Sequence, residues 1–383
     1  MNKKKNASLK YKLSGIFSAM LILLLMAATI VRPKGSISYQ ENRNLADFPK
    51  LTFSSIFNGS FINSLSDYSK DQFAFRSKFL NLNADMSFYN GERVVNDVYI
   101  TNNMLLNAKK REKISEWSSA SKINDFSHNC DSAVYVIAAP SSDGVYADKL
   151  PKHLTSYTQK SMIDDFYSEL DNNIKRIDAY NVLKMLNENY IYYRNDSKWT
   201  SYGAYCVYRT AIQKLGFIPI AYDKYTIEHV TSDFKGDLYN KSQYSTVEPD
   251  ILDIYYDVDG SSVMKVSAYD KSCISHDVSL YNRQFAKTNY PYRIYPSESN
   301  EIIKINTNVK NDKKLLIIKD SYANCFIPFL IQHYSQIAVV PENFDSRAYS
   351  DIIDLSQYGQ VLFLINADRL SQTNCLSVIN KEG

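Results

Sequence analysis

From Ser132 to the carboxyl end the chain carries apolar runs of four to seven residues, each followed by a stretch of helical length, and few other patterns are compatible with that spacing. Ala133–Ala139, Leu315–Ile318, Ile337–Val340 and Val361–Ile365 read as strands buried on both faces, with Tyr190–Tyr193 as a shorter one. Segments 161–176, 201–215 and 321–333 read as the helices between them. Continuous apolar strands separated by helices specify a largely parallel sheet covered on both sides, so the fold class is α/β with three layers. Residues 222–300, rich in Tyr, Asp and Ser, break the alternation and read as an irregular or antiparallel insertion.

The amino terminus is organised differently. Leu13 to Val31 contains no charge and, as a helix rising ~1.5 Å per residue, is about 28 Å long, close to the ~30 Å of a bilayer core. Lys3, Lys4, Lys5, Lys10 and Lys12 precede it, so the positive-inside bias keeps the amino end in the cytoplasm and sends the rest outside. A cleaved signal peptide is the other reading, but Ala27-Ala28-Thr29 is a poor small-x-small cleavage site. The expected organisation is a tail and transmembrane anchor over 1–34, an extracytoplasmic segment over 35–105 and an α/β domain over 106–383. Within 35–105, a helical pattern runs from Phe53 to Tyr68.

Composition excludes several functions. With 44 basic and 41 acidic residues the net charge is +3, which gives no electrostatic case for a nucleic-acid partner. Cysteines at 130, 206, 273, 325 and 375 have no metal-type spacing, and histidines at 128, 153, 229, 276 and 333 form no His-x-His pair, so neither a zinc site nor any cofactor is expected. The 31 tyrosines suit glycan-facing surfaces and also ordinary β-rich packing.

The chemistry-bearing segment is Lys313-Lys-Leu-Leu-Ile-Ile-Lys-Asp-Ser321-Tyr-Ala-Asn-Cys-Phe-Ile-Pro-Phe, a strand entering a turn at Asp320-Ser321. Such a turn presents a serine hydroxyl at the end of a sheet over backbone N–H groups that can hold an oxyanion. A second segment, Tyr192-Tyr-Arg-Asn-Asp196-Ser-Lys198-Trp-Thr-Ser-Tyr-Gly-Ala, supplies an acid and a base-sized side chain.

Together these segments resemble the DHHW family of extracytoplasmic proteins, related to the SGNH-hydrolase-like alginate and polysaccharide O-acetyltransferases. Asp196, Trp199, Thr200, Gly203 and Ala204 match the family's first motif, and Asp320, Ser321, Tyr322, Ala323 and Asn324 its second. Further landmarks are Glu41-Asn-Arg-Asn-Leu-Ala-Asp-Phe-Pro, Asn58-Gly-Ser-Phe, Asp71-Gln-Phe-Ala-Phe-Arg76 and the run Pro140 to Pro151. The resemblance implies an SGNH-like fold and acetyl transfer to a cell-surface polysaccharide, with the acetyl group delivered by an integral membrane O-acyltransferase partner. It makes Ser321 the nucleophile, Asp196 the orienting acid and residue 198 the base, with Trp199, Tyr322, Asn324 and Asn289 around the substrate.

The departures fall on the chemistry. The family's two histidines are Ser197 and Lys198, its Gly-Asn is Thr288-Asn289, and its Asp-x-Arg-Tyr is Pro341-Glu-Asn-Phe344. As a base, Lys198 needs its pKa lowered about three units from ~10.4, roughly 4 kcal/mol, and a carboxylate two residues away on an extended segment pushes it the other way. Two functions therefore stay open: a serine acetyltransferase or acetylesterase with impaired catalysis, and a non-catalytic glycan-binding or scaffolding relative. His229 and His276 remain as replacement bases, and Cys325, one helical turn beyond Ser321, as a rival nucleophile.

Overall fold

The computed structural model describes residues 2–32, 34–38, 43–258, 262–288 and 290–380. The chain divides into two compact units, Met1–Asn90 with Gln243–Ser245, and Gly91–Ser242 with Thr246–Gly383.

The first unit is mainly helical, with one short antiparallel strand pair, Ile37–Ser38 with Arg43–Asn44. Helix Asn2–Val31 contains, at Lys12–Val31, a segment long and apolar enough to cross a membrane, and none of that segment is buried. The helix expected over 53–68 is two helices, Phe53–Phe57 and Ser60–Gln72. Gly59 separates them at φ 75°, a backbone that ends a helix and that glycine adopts without steric cost.

The second unit contains an eight-stranded sheet. Its strands in chain order are β1 Ala133–Ala139, β2 Lys175–Arg176, β3 Val263–Tyr269, β4 Ser275–Asp277, β5 Ile302–Thr307, β6 Lys314–Lys319, β7 Gln336–Pro341 and β8 Gln360–Asn366. Across the sheet they lie in the order β4-β3-β5-β7-β6-β8-β1-β2. The pairs β7-β6, β6-β8, β8-β1 and β1-β2 are parallel, whereas β5, β3 and β4 continue the sheet antiparallel. Two of these antiparallel strands come from within 222–300, and the same stretch forms a separate hairpin, Tyr225–Phe234 with Asp250–Asp257.

Side chains alternate along each strand and so build two cores. Val134, Val136, Leu316, Ile318, Val361 and Phe363 pack against helices Ser118–His128 and Gln159–Ser168 through Ile123, Met162 and Phe166. Tyr135, Ile137, Leu315, Ile317, Leu362 and Leu364 face helices Ala179–Met185 and Ser201–Lys214 through Leu183, Val207 and Ala211. At roughly 1.5–3 kcal/mol per fully buried large aliphatic side chain, these two faces are the main source of stability. The three-layer α/β expectation holds.

Local differences have local causes. The helix expected over 161–176 stops at Ser168, and Lys175–Arg176 joins the sheet after an Asp171-Asn-Asn turn. Tyr190–Tyr193 forms only a single antiparallel bridge, Tyr192 to Trp199. No continuous helix runs over 321–333: two 3-10 turns, Ser321–Ala323 and Ile327–Leu330, stand there instead. Pro328 has no N–H to return to the Asn324 carbonyl, and its ring crowds that carbonyl, so an α-helix cannot pass.

Candidate active site

Strand β6 lies between two parallel neighbours, and Asp320 and Ser321 follow at its carboxyl end, where open α/β sheets place their ligands. Asp320 shapes the turn: one carboxylate oxygen accepts from Tyr322 N (2.9 Å) and the other from Asn366 N (2.8 Å) at the end of β8. Burial pushes this carboxyl up to about 6 against those two N–H groups. Ser321 emerges half-buried, and its backbone oxygen accepts from the Tyr292 hydroxyl at 3.3 Å.

The second segment is fastened to this turn although more than 120 residues separate them. Trp199 Nε1 donates to the Tyr322 carbonyl (2.9 Å), and the two rings meet edge to face at 5.7 Å. The Tyr322 hydroxyl donates to the Ser197 carbonyl (3.0 Å), which also accepts from Ser142 N (3.0 Å). Trp199, Tyr322 and Asn324 are all buried and bonded to protein groups. Asn289 lies outside the described residues.

Asp196 and Lys198 form a buried ion pair. Lys198 Nζ is 3.1 and 3.3 Å from the Asp196 oxygens and 2.6 Å from Asp237, with the Tyr292 ring centroid 5.3 Å away. The pair sits on a turn rather than on an extended strand, since Lys198 N itself donates to Asp196 Oδ1 (2.9 Å). Asp237 N donates to the other oxygen (2.9 Å), and this approach requires Gly236, where a Cβ would overlap the Asp196 carboxylate. Burial opposes the Lys198 charge, but Asp196 and Asp237 outweigh it and hold the ammonium well above the usual lysine range. Burial likewise presses the Asp196 carboxyl upward against the pull of Lys198. Two carboxylates share one cation, and the cation stays protonated.

A second buried cluster lies beside Ser321. Lys319, on the same face of β6 as Leu315 and Ile317, donates to the Ser297 carbonyl and to Asn324 Oδ1 (2.8 Å). Burial pulls its ammonium down to about 8 against Glu298 and Asp320. Glu298 accepts from the Tyr290 hydroxyl (2.9 Å) and from Asn324 Nδ2, and burial raises its carboxyl against the pull of Lys319 and Lys198. Glu298, Lys319, Asp320, Ser321 and Glu342 line a common pocket of about 290 Å³. Asp237 opens the short helix Asp237–Ser242 and Glu298 ends the 3-10 turn Pro296–Glu298, elements too short to leave a periodic signal in the sequence; Lys319 was legible as a charge on the core face of a buried strand.

The remaining candidates stand elsewhere. His333 bonds the Tyr208 hydroxyl (2.7 Å), and burial pulls it down to about 4, leaving it neutral. His229 pairs with Asp253 (2.6 Å), and His276 lies 3.7 Å from Glu301, both largely exposed. Burial pushes the Cys325 thiol up to about 12, which makes it a poor nucleophile.

The fold is a three-layer, SGNH-hydrolase-like α/β fold, with Ser321 at the carboxyl end of a central strand. The chain belongs to the DHHW family, whose model, described as DHHW protein, matches residues 120–340. Among solved structures it is similar to a DHHW family protein from Eubacterium siraeum (TM-score 0.63, 23% identity, 74% of this chain and 95% of that one). It is also similar to Bacillus cereus PatB1 with a sulfonyl adduct (TM-score 0.61, 20% identity, 72% and 96%). No curated protein matches.

Proposed function

We propose that this chain is a membrane-anchored, extracytoplasmic protein of cell-surface polysaccharide O-acetylation, in which Ser321 accepts the acyl group and the family's proton relay through position 198 is disabled. In this reading helix Asn2–Val31 is a single-pass anchor with its amino end in the cytoplasm, and an integral membrane O-acyltransferase is the acetyl-supplying partner implied by the family resemblance. The observation that carries the proposal is the pairing of a half-buried Ser321, presented at the end of a central parallel strand, with a Lys198 ammonium neutralised by two carboxylates. An ammonium cannot accept the serine proton, so transfer through the family's triad is blocked and turnover is slow. The same lock favours a second reading, a non-catalytic glycan-binding relative.

Replacing Lys198 by His separates the two. Imidazole has a pKa near ~6.5 and Asp196 is available to orient it, so Lys198→His raises hydrolysis of an activated acetyl ester at least about tenfold, below the ~10²- to 10⁴-fold of a fully positioned base. Adding Ser321→Ala removes the gain. A gain that survives Ser321→Ala assigns the nucleophile wrongly, and no activity in any variant favours the binding reading.

A further inference from the structure

We propose that Glu298 takes the proton from the Ser321 hydroxyl in this protein, the part played in the family by the residue at position 198. The inference rests on the reading of Ser321 as an acyl-accepting serine.

Geometry points to Glu298 from two directions. Glu298 and Ser321 line the same pocket of about 290 Å³ at the carboxyl end of β6. In addition, Asn324 N donates to the Ser321 carbonyl (3.3 Å), the three-residue bond of a 3-10 turn, in which residues three apart eclipse. Asn324 therefore stands on the Ser321 side of the turn, and its amide donates to Glu298. That amide has one orientation available, because its oxygen already accepts from Lys319 Nζ (2.8 Å) and Ser297 Oγ (3.0 Å). The Tyr290 hydroxyl holds the other Glu298 oxygen. Each carboxylate oxygen keeps a further lone pair for an incoming proton.

The pocket's other acids are committed. Both Asp320 oxygens hold the backbone N–H groups of Tyr322 and Asn366 that shape the turn, whereas Glu298 is held by the Tyr290 and Asn324 side chains. Glu342 is paired with the Arg369 guanidinium (2.8 Å) and with Leu376 N (2.8 Å). Around Glu298, burial and Asp237 favour the protonated acid while Lys319, Lys198 and the Tyr290 hydroxyl favour the carboxylate; burial prevails, which makes Glu298 more basic than an exposed glutamate.

The transfer needs no redox partner. Ser321 Oγ bonds to the carbonyl carbon of an O-acyl ester as its proton passes to Glu298, and the Glu298 acid returns that proton to the departing alkoxide. An incoming hydroxyl, from a glycan or from water, then gives its proton to Glu298 and bonds to the acyl carbon. Ser321 leaves and recovers the proton.

The test is hydrolysis of 4-nitrophenyl acetate by the full chain in detergent between about pH 4 and 9, comparing wild type with Glu298→Gln, Glu298→Asp and Ser321→Ala. Glu298→Gln should lower kcat/KM about 100-fold and erase the fall in rate on the acid side, whereas Glu298→Asp keeps that fall at reduced kcat. If wild type exceeds Ser321→Ala but Glu298→Gln matches wild type across the profile, this inference fails while the serine reading stands. If wild type equals Ser321→Ala, the serine reading fails and takes the inference with it. Should Glu298→Gln lose its cooperative melt, Glu298→Asp decides: a retained acid limb supports the role and a flat profile overturns it.

Discussion

Removing the Lys198 ammonium while keeping its stem, as in Lys198→Met, tests whether the buried pair is held together as described. The side chains of Lys198 and Asp196 are 4% and 1% exposed, whereas Asp237 is 48% exposed. Asp237 can therefore turn to water, and the cost falls on Asp196. Breaking a buried pair by deleting one partner costs about 3–5 kcal/mol. Asp196 keeps the N–H groups of Lys198 and Asp237, so the low end, about 3 kcal/mol, applies at pH 7. At about 2–4 °C per kcal/mol, the melt of the full chain should drop by about 6 °C or more. The sign of the pH dependence follows from linkage. In the variant the folded Asp196 carboxyl sits above its unfolded value of ~3.9, so between the two the folded chain binds a proton that the unfolded chain releases. The deficit relative to wild type is thus largest at neutral pH and shrinks as pH falls through the raised folded value. Circular-dichroism melts of both proteins at pH 7 and pH 5 measure it. A variant that melts with wild type at pH 7, or whose deficit grows on acidification, would show that Lys198 does not offset a buried Asp196 charge.

Two further outcomes are expected. Gly236→Ala places a Cβ on the Asp196 carboxylate and should cost about 1–3 kcal/mol of stability, read as a lowered melting temperature, because the neighbour is a buried, fully bonded group with nowhere to move. If helix Asn2–Val31 is an anchor with its amino end inside, protease added to intact spheroplasts digests the α/β unit; full protection, or a soluble secreted form lacking the first thirty residues, contradicts the topology.

What was legible in the sequence is what local periodicity determines. Four strands of the parallel sheet announce themselves as apolar runs, and the Asp196–Lys198 pair follows from two opposite charges two residues apart. The turn that makes the pair was missed, because an Asp side chain capping a nearby N–H satisfies the same spacing as an extended strand. The unbroken helix over 321–333 failed on Pro328, a breaker visible in the sequence but set in an otherwise apolar, helix-like run. Asp237 and Glu298 come from chain without periodicity, and tertiary packing alone puts them beside Lys198 and Ser321. Their charges act on the buried Asp196, Lys198 and Lys319, and contacts made over such sequence distances leave no local trace.

If Ser321 is the hydroxyl that accepts an acyl group, it carries that group during turnover of an activated ester. The full chain is incubated with 4-nitrophenyl acetate, quenched in acid and digested, and each peptide is weighed by mass spectrometry. One acetyl group is expected on the peptide bearing Ser321, absent in Ser321→Ala and longer-lived in wild type than in Lys198→His. Ester consumed with no acetyl on that peptide, or acetyl retained there after Ser321→Ala, would contradict it.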